Sequence, residues 1–145
     1  MMPSQNHEAI DALFNNEELR KWHYLDQGTV IRSKSLLETG KALFFGDDNG
    51  GFFLLDLGDG LWDIHTQFLP KFRGPRVPVL AMKMLRYMFE QTTCELISTF
   101  VGHENSPARD LALACGFERH KECTLFGHEG LVYVLSIKKW VQSCL

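Results

Sequence analysis

The chain has 145 residues, of which 45% are hydrophobic and 23% charged, with a formal net charge of -3 at pH 7. These values suit one globular domain, which we place over residues 1–145. The net negative charge argues against a general nucleic-acid partner, so any anion site has to be local. The polar first residues and the lack of a long apolar run predict a cytoplasmic protein without a membrane partner.

The four cysteines are Cys94, Cys115, Cys123 and Cys144. They share no Cys-x-x-Cys spacing, and none lies at metal-ligand spacing from a histidine. We therefore interpret them as reduced thiols of a cytosolic protein and predict no metal site.

The first half of the chain predicts two short helices followed by an antiparallel meander. Ser4 is predicted to cap the first helix and Asn16 the second. Their inward-facing apolar residues lie at helical spacing and are Ile10, Leu13, Phe14, Leu19 and Trp22. A short extended piece is predicted over 27–32. Three strands separated by Gly-rich turns follow, over 41–46, 52–57 and 61–69.

A long amphipathic helix is predicted after the third strand. It begins at Pro78 or Val79 and runs to about Glu90. We interpret its apolar face as core, because Met-rich stripes usually pack against a sheet. The residues of this face are Ala81, Met82, Leu85, Met88 and Phe89.

The remaining segments predict a buried central strand over 94–101, a short helix and a terminal hairpin. Ser106 is predicted to cap the helix, with Pro107 at its first position and Gly116 at its end. The hairpin strands are placed at 122–126 and 131–137 around a turn at 127–130, and a tail follows from Lys138. This order predicts an α/β (α+β) fold, with a mixed, mostly antiparallel sheet of about six strands and helices on both faces.

The turn between the third strand and the long helix is basic and contains Lys71, Arg73, Gly74 and Arg76. A strand that enters a helix through such a turn exposes backbone N–H groups and the positive end of the helix. The turn therefore predicts a phosphate site.

Three signals in the same order resemble the GNAT superfamily of acyltransferases, over about residues 41 to 140. They are Phe72-Arg73-Gly74 after Leu69-Pro70, Asn105 after the next strand, and Gly116-Phe117 at the end of the short helix. The resemblance implies acetyl-CoA as co-substrate and transfer of an acetyl group to a small-molecule or protein amine. It also implies that the sheet opens beside Phe68 to admit the pantetheine arm. The cofactor-binding residues implied are Phe68, Leu69, Lys71, Arg73, Gly74, Arg76 and Asn105.

The chain departs from the GNAT pattern at three places. The family loop Arg/Gln-x-x-Gly-x-Gly/Ala corresponds here to residues 73–78, where Arg76 and Pro78 replace the two small residues. We expect guanidinium groups to replace the missing backbone donors. Ala112 stands where many members carry a general-acid tyrosine, and the usual first strand has little room before the first helix.

Acyl transfer to an amine needs a base that accepts the amine proton. Alternation along the strand at 61–69 places Asp63, His65 and Gln67 on one face. Histidine suits this role because its charge changes near neutral pH. We predict His65 and Asp63 as the catalytic residues, Asp63 through a water molecule; the alternative is a polar face of a half-covered sheet.

Two other functions stay open at this point. The altered loop and the missing tyrosine also suit a GNAT-like protein that has lost catalysis and serves in assembly. The segment at 65–74 is similar to small GNAT-like proteins of tailed bacteriophages, some of them virion or head-assembly proteins. A simple phosphate or nucleotide binder that uses only the basic turn is the third reading. Trp140, Val141 and the last strands are a candidate homodimer surface.

Overall fold

The structure, a computed structural model, describes residues 2–20 and 32–145. Its strands form one six-stranded sheet in the order β1-β2-β3-β4-β6-β5. The strands are β1 Ala42–Asp47, β2 Gly50–Gly58, β3 Leu61–Phe68, β4 Leu96–Gly102, β5 Glu118–Leu125 and β6 His128–Ser136. All neighbouring pairs are antiparallel except β3 and β4, which run parallel. The prediction of a mixed, mostly antiparallel sheet in an α+β fold is confirmed.

Helices cover both faces of the sheet in the described part of the chain. They are α1 His7–Phe14, α2 Glu17–Arg20, α3 Lys34–Glu38, α4 Arg76–Gln91, α5 Ser106–Ala114 and α6 Ile137–Cys144. One core joins α4 and α5 to the face of β3 that carries Trp62, Ile64 and Phe68. A second core joins the N-terminal helices to Phe44 and Phe53. The side chains of β3 therefore alternate between the two faces of the sheet, as the sequence predicted.

The N-terminal cap differs from the prediction. Asn6 caps α1, because its side-chain oxygen accepts a hydrogen bond of 3.2 Å from the Ala9 N–H. The prediction of Ser4 as the cap was wrong. The Ser4 N–H donates a hydrogen bond of 2.7 Å to the Phe44 carbonyl of β1. Leu19 is buried as predicted, whereas Trp22 and most of the extended piece, residues 27–31, lie outside the described residues. No strand precedes β1 within residues 2–20 and 32–41.

Two helices were not predicted, and both depend on contacts distant in sequence. The N–H and hydroxyl of Ser33, before α3, donate to one Asp11 carboxylate oxygen at 2.8 and 2.7 Å. The segment predicted as a tail forms α6, whose first turn is capped by Ser136. The Trp140 ring of this helix packs on Phe89 of α4, with ring centroids 5.4 Å apart.

Helix α4 begins at Arg76, earlier than the predicted Pro78 or Val79. Proline is tolerated in the first turn, where its missing N–H has no helical acceptor. The apolar face is also rotated from the predicted one, because Met84 is 2% exposed whereas Met82 is 46% exposed. At about 100° per residue, Met82 lies a quarter-turn from Ala81 and outside the buried stripe.

The cap of helix α5 and the turn of the terminal hairpin also differ from the prediction. Asn105, not Ser106, caps α5, because its oxygen accepts from the Ala108 N–H at 3.4 Å. The hairpin turn is Phe126-Gly127 rather than 127–130, with φ angles of 48° and 82°. Two consecutive positive φ angles form a two-residue turn, so both hairpin strands are longer than predicted.

Candidate functional site

A gap opens between the parallel strands β3 and β4. Their backbones pair over only three positions, from Leu61 with Leu96 to Asp63 with Ser98. One further bond, from the Thr99 hydroxyl to the Ile64 carbonyl, measures 3.2 Å. Beyond it β3 continues to Phe68, still paired with β2, while β4 continues beside β6. The sheet therefore opens beside Phe68, as the family resemblance implied.

A groove of about 460 Å³ lies at the open end of this gap. Its walls come from the end of β3, the turn before α4 and the first turns of α5. Phe68, Arg73, Gly74 and Asn105 line it, so the groove brings together four of the seven predicted cofactor-binding residues. Pro78 forms part of the wall without filling the groove.

The turn before α4 presents one guanidinium group to the groove. The Arg73 Nε–H donates to the Phe68 carbonyl at 3.1 Å, which ties the turn to the end of β3. Neither Nη group of Arg73 has a partner among the described residues. Pro75 and Pro78 carry no N–H, and the Val77 N–H is bonded to the Gly74 carbonyl at 3.1 Å. The backbone donors that remain for an anion in this turn are those of Gly74 and Arg76.

The other three predicted cofactor residues lie outside the groove. The Arg76 guanidinium lies over the Phe72 ring at 5.6 Å and is 3.9 Å from the Asp47 carboxylate. Lys71 is exposed on a short 3-10 turn, and Leu69 packs against the N-terminal core. Of the three basic side chains in the turn, only Arg73 faces the groove in this conformation. The expected replacement of glycine backbone donors by guanidinium groups therefore depends on Arg73.

Asn105 has two structural roles. Its side-chain oxygen caps α5, and the residue lines the groove. Its side-chain NH₂ has no partner among the described residues and remains available to a ligand. The turn-forming role and the ligand-binding role that the sequence left as alternatives are therefore compatible.

The predicted catalytic pair lies on the opposite face of β3 from α4. The His65 Nε2 and an Asp63 carboxylate oxygen are 3.0 Å apart, and both side chains are about one-third exposed or less, at 33% and 27%. The other Asp63 oxygen accepts a hydrogen bond of 3.2 Å from the Ser98 hydroxyl. Sequence reasoning missed Ser98, because its proximity to Asp63 depends on the register of β3 against β4. A hydrogen bond from Nε2–H to Asp63 leaves Nδ1 of His65 to accept a proton.

Two further residues near the gap affect its polarity. Gln67 is 4% exposed and lines the groove, two positions along the same face from His65. Burial raises the pKa of the Cys115 thiol, which keeps this group protonated and neutral. All four cysteines are free, and the described residues contain no cluster of side chains that is suitable for a metal ion. Within the same residues, every helix is too short or too polar to cross a membrane.

Comparison with known proteins relates this fold to acetyltransferases. A spermidine N-acetyltransferase from Vibrio cholerae, in complex with CoA and spermine, is 15% identical, with 96% of this chain and 95% of that chain covered and a TM-score of 0.79. A GNAT-family acetyltransferase from Bacillus anthracis is 17% identical, with coverages of 92% and 90% and a TM-score of 0.68. A ribosomal-protein-S5-alanine acetyltransferase from Vibrio fischeri is 13% identical, with coverages of 94% and 89% and a TM-score of 0.73. No family model and no curated protein matches the sequence. At these identities the likeness concerns the architecture, and the chain has the fold of the GNAT acetyltransferases.

Proposed function

We propose that this protein is an N-acetyltransferase that uses acetyl-CoA to acetylate an amine. The observation that carries the proposal is the gap between β3 and β4, which has a groove lined by Arg73 at its mouth and the Asp63–His65 pair on its far face. The V. cholerae neighbour, whose structure contains CoA and spermine, has the same fold and supports this ligand class.

The residues present fit a CoA molecule in two respects. The guanidinium of Arg73 and the N–H groups of Gly74 and Arg76 suit a pyrophosphate, because charge-assisted and backbone donors are both strong for such anions. The parted strands expose backbone N–H and C=O groups of β3, which suit the amides of a pantetheine arm. We propose that Phe68, Arg73, Gly74 and Asn105 hold the cofactor. Lys71 and Arg76 approach it only by changing side-chain rotamer.

The residues of the far face would handle the proton. Bound acetyl-CoA supplies a thioester, whose acetyl carbon bonds to the amine nitrogen while the C–S bond breaks and the CoA thiol leaves with a proton. His65 is placed to accept the amine proton at Nδ1, since Asp63 holds its Nε2 side. Ser98 positions Asp63 through the second carboxylate oxygen. Ala112 supplies no phenol, so the departing sulfur takes its proton from water or from His65.

Calorimetry and thermal unfolding with acetyl-CoA test the binding half of the proposal. Ligand at about 100 times its Kd should stabilise the fold by about 2.7 kcal/mol. Arg73→Ala should weaken binding at least about tenfold, because it removes a charge-assisted hydrogen bond. Arg86→Ala is the matched control, since Arg86 is exposed on the outer face of α4 and pairs with Glu90 at 3.1 Å.

Turnover with two amine probes tests the catalytic half. Spermidine and a peptide with an N-terminal alanine represent the acceptors of the structural neighbours. His65→Ala should lower kcat about 10²-fold or more and leave acetyl-CoA affinity unchanged, because His65 acts on the proton. His120→Ala, on the exposed strand β5, should change neither quantity.

Other outcomes of these experiments would contradict the proposal. Binding of simple nucleotides without CoA would favour the phosphate-binding function. No response to any CoA species, together with co-purification in a large assembly, would favour the assembly function.

A further inference from the structure

A second, smaller cavity of about 70 Å³ adjoins the groove at the gap between β3 and β4. The two spaces share five lining residues, which are Thr66, Gln67, Asn105, Ala108 and Leu111. Because their walls are shared, a molecule that enters the groove along the parted strands reaches the smaller cavity next.

The walls of this cavity differ between its two sides. His65 and Gln67 line it from β3. The side toward the helices is apolar and includes three alanines, Ala81 of α4 and Ala108 and Ala112 of α5, beside larger side chains of the same two helices. Ala112 is 6% exposed and occupies the position where the family resemblance places a tyrosine. The absence of a large side chain at these three alanines leaves the space open.

The one thiol in this wall is unreactive at neutral pH. Cys115 lines the cavity, and burial raises its pKa, so the group stays protonated at neutral pH. A protonated thiol is a poor nucleophile and would not take an acyl group from a bound thioester. The helix side of the cavity is therefore an inert, apolar surface of the kind that binds hydrocarbon.

The size of the cavity limits what it can hold. An apolar cavity of about 150 Å³ holds the six carbons of benzene, so about 70 Å³ corresponds to roughly three carbons. We propose that this cavity binds the alkyl part of the acyl donor, and that the protein prefers a short linear acyl group such as butyryl over acetyl. The inference rests on the proposed function, because it assumes that an acyl-CoA enters the gap.

Calorimetry with the unmodified protein tests the preference without turnover. CoA, acetyl-CoA, butyryl-CoA and hexanoyl-CoA are titrated in the absence of any amine. Each buried methylene should strengthen binding about fourfold, so butyryl-CoA, with two more methylenes, should bind about fifteenfold more tightly than acetyl-CoA. Hexanoyl-CoA should bind more weakly than butyryl-CoA, because its last carbons exceed the cavity.

Ala112→Leu should abolish the preference by filling the cavity. The variant should lose about fifteenfold in butyryl-CoA affinity while its affinity for free CoA stays unchanged. Ala9→Leu, on helix α1, which does not line the cavity, is the matched control and should retain the preference. The chain-length series in the unmodified protein keeps the inference testable if Ala112→Leu does not fold.

The two proposals fail in different ways. If CoA and acetyl-CoA bind but butyryl-CoA binds more weakly than acetyl-CoA, the acyl-chain inference is wrong and the proposed function stands. If no CoA species binds, both are wrong.

Discussion

Gly50 supports the groove from the strand next to it. It pairs with Phe68 across β2 and β3, and its φ of 152° is a conformation that residues with a side chain rarely adopt. A Cβ at this position would lie 2.6 Å from the Phe68 Cα and would also meet the ring. The ring packs edge-on against Phe52, with centroids 5.5 Å apart. Phe68 keeps its place in the groove wall because Gly50 leaves room for it.

Gly50→Ala should therefore displace Phe68 and weaken CoA binding. We expect the free energy of unfolding to fall by about 2 kcal/mol or more, since both a clash and backbone strain contribute. Gly58→Ala is the matched control, because Gly58 has a φ of 93° but no atom within 4 Å of its Cβ position. Urea unfolding and CoA titration of both variants separate the clash from the strain. Equal losses in the two variants would argue against the packing role of Gly50.

The Asp63–His65 pair contributes more to the orientation of the imidazole than to the free energy of unfolding. Both side chains are partly exposed, and ion pairs with access to water contribute little to folding. The carboxylate is held on its other side by Ser98, so the imidazole orientation is set by two strands together. Under the proposed function, this double support fixes the imidazole that accepts the amine proton.

The gap between β3 and β4 requires only a small loss of pairing. Each strand keeps its outer neighbour over the parted region, β3 with β2 up to Phe68 and β4 with β6 up to Gly102. Only the backbone groups that face the gap lose a protein partner, and these are the groups a ligand amide can satisfy. The sheet therefore stays rigid on both sides of the opening.

Helix α5 links the gap to the groove through its cap. Asn105→Ala should lower the free energy of unfolding by about 1 kcal/mol, because the first turn loses its side-chain acceptor. Asn105→Asp keeps that acceptor and should preserve stability. Both variants remove the side-chain NH₂, so both should weaken CoA binding if Asn105 contacts the ligand. Urea unfolding and calorimetry check the two effects, and unchanged affinity in Asn105→Asp would leave Asn105 as a cap alone.

Two cores on opposite faces of one sheet hold the molecule together, and the larger core contains a buried thiol. Cys94 is 1% exposed, and burial raises its pKa to about 12 from the ordinary value of about 9 for a thiol. Because the unfolded chain releases this proton at lower pH than the folded protein, stability is fully present below about pH 9 and declines as the pH rises toward 12.

The free energy of unfolding should thus fall by about 1.4 kcal/mol between about pH 8 and pH 10 through Cys94 alone. Cys94→Ala should flatten this decline, although it lowers stability at both pH values by leaving a small cavity. Urea unfolding in the presence of reductant measures the change. The exposed Cys144 provides the control variant, Cys144→Ala, which should keep the full decline. An unaltered slope in Cys94→Ala would contradict the assignment.

Local patterns in the sequence were sufficient for much of this architecture. Alternation along residues 61–69 separates Asp63 and His65 from Trp62 and Ile64, because successive side chains of a strand point to opposite faces. The basic turn before a helix predicts an anion site, because its donors come from a few adjacent residues. Both inferences depend on backbone geometry within a short segment, so no distant contact was needed.

Other features depended on contacts between segments far apart in the chain. Asp11 accepts a hydrogen bond from Ser33, the residue before α3, and Phe89 packs against Trp140 of α6. Because these contacts are distant in sequence, neither helix was predicted from its own residues. The side chain of Arg76 is directed away from the groove by Asp47, the last residue of strand β1. Met84 rather than Met82 is buried because the sheet sets the rotation of α4 about its axis.

The sequence by itself determined the order of the strands and of α1, α2, α4 and α5, the faces of β3 and the basic turn, since these follow from periodicity and from the chemistry of neighbouring residues. Only the tertiary structure decided that β3 and β4 part after three pairs, that Ser98 reaches Asp63 and that Arg73 alone of the three basic side chains lines the groove. The physical reason is that register and side-chain direction are settled by packing against partners distant in sequence, and local propensity carries no information about those partners.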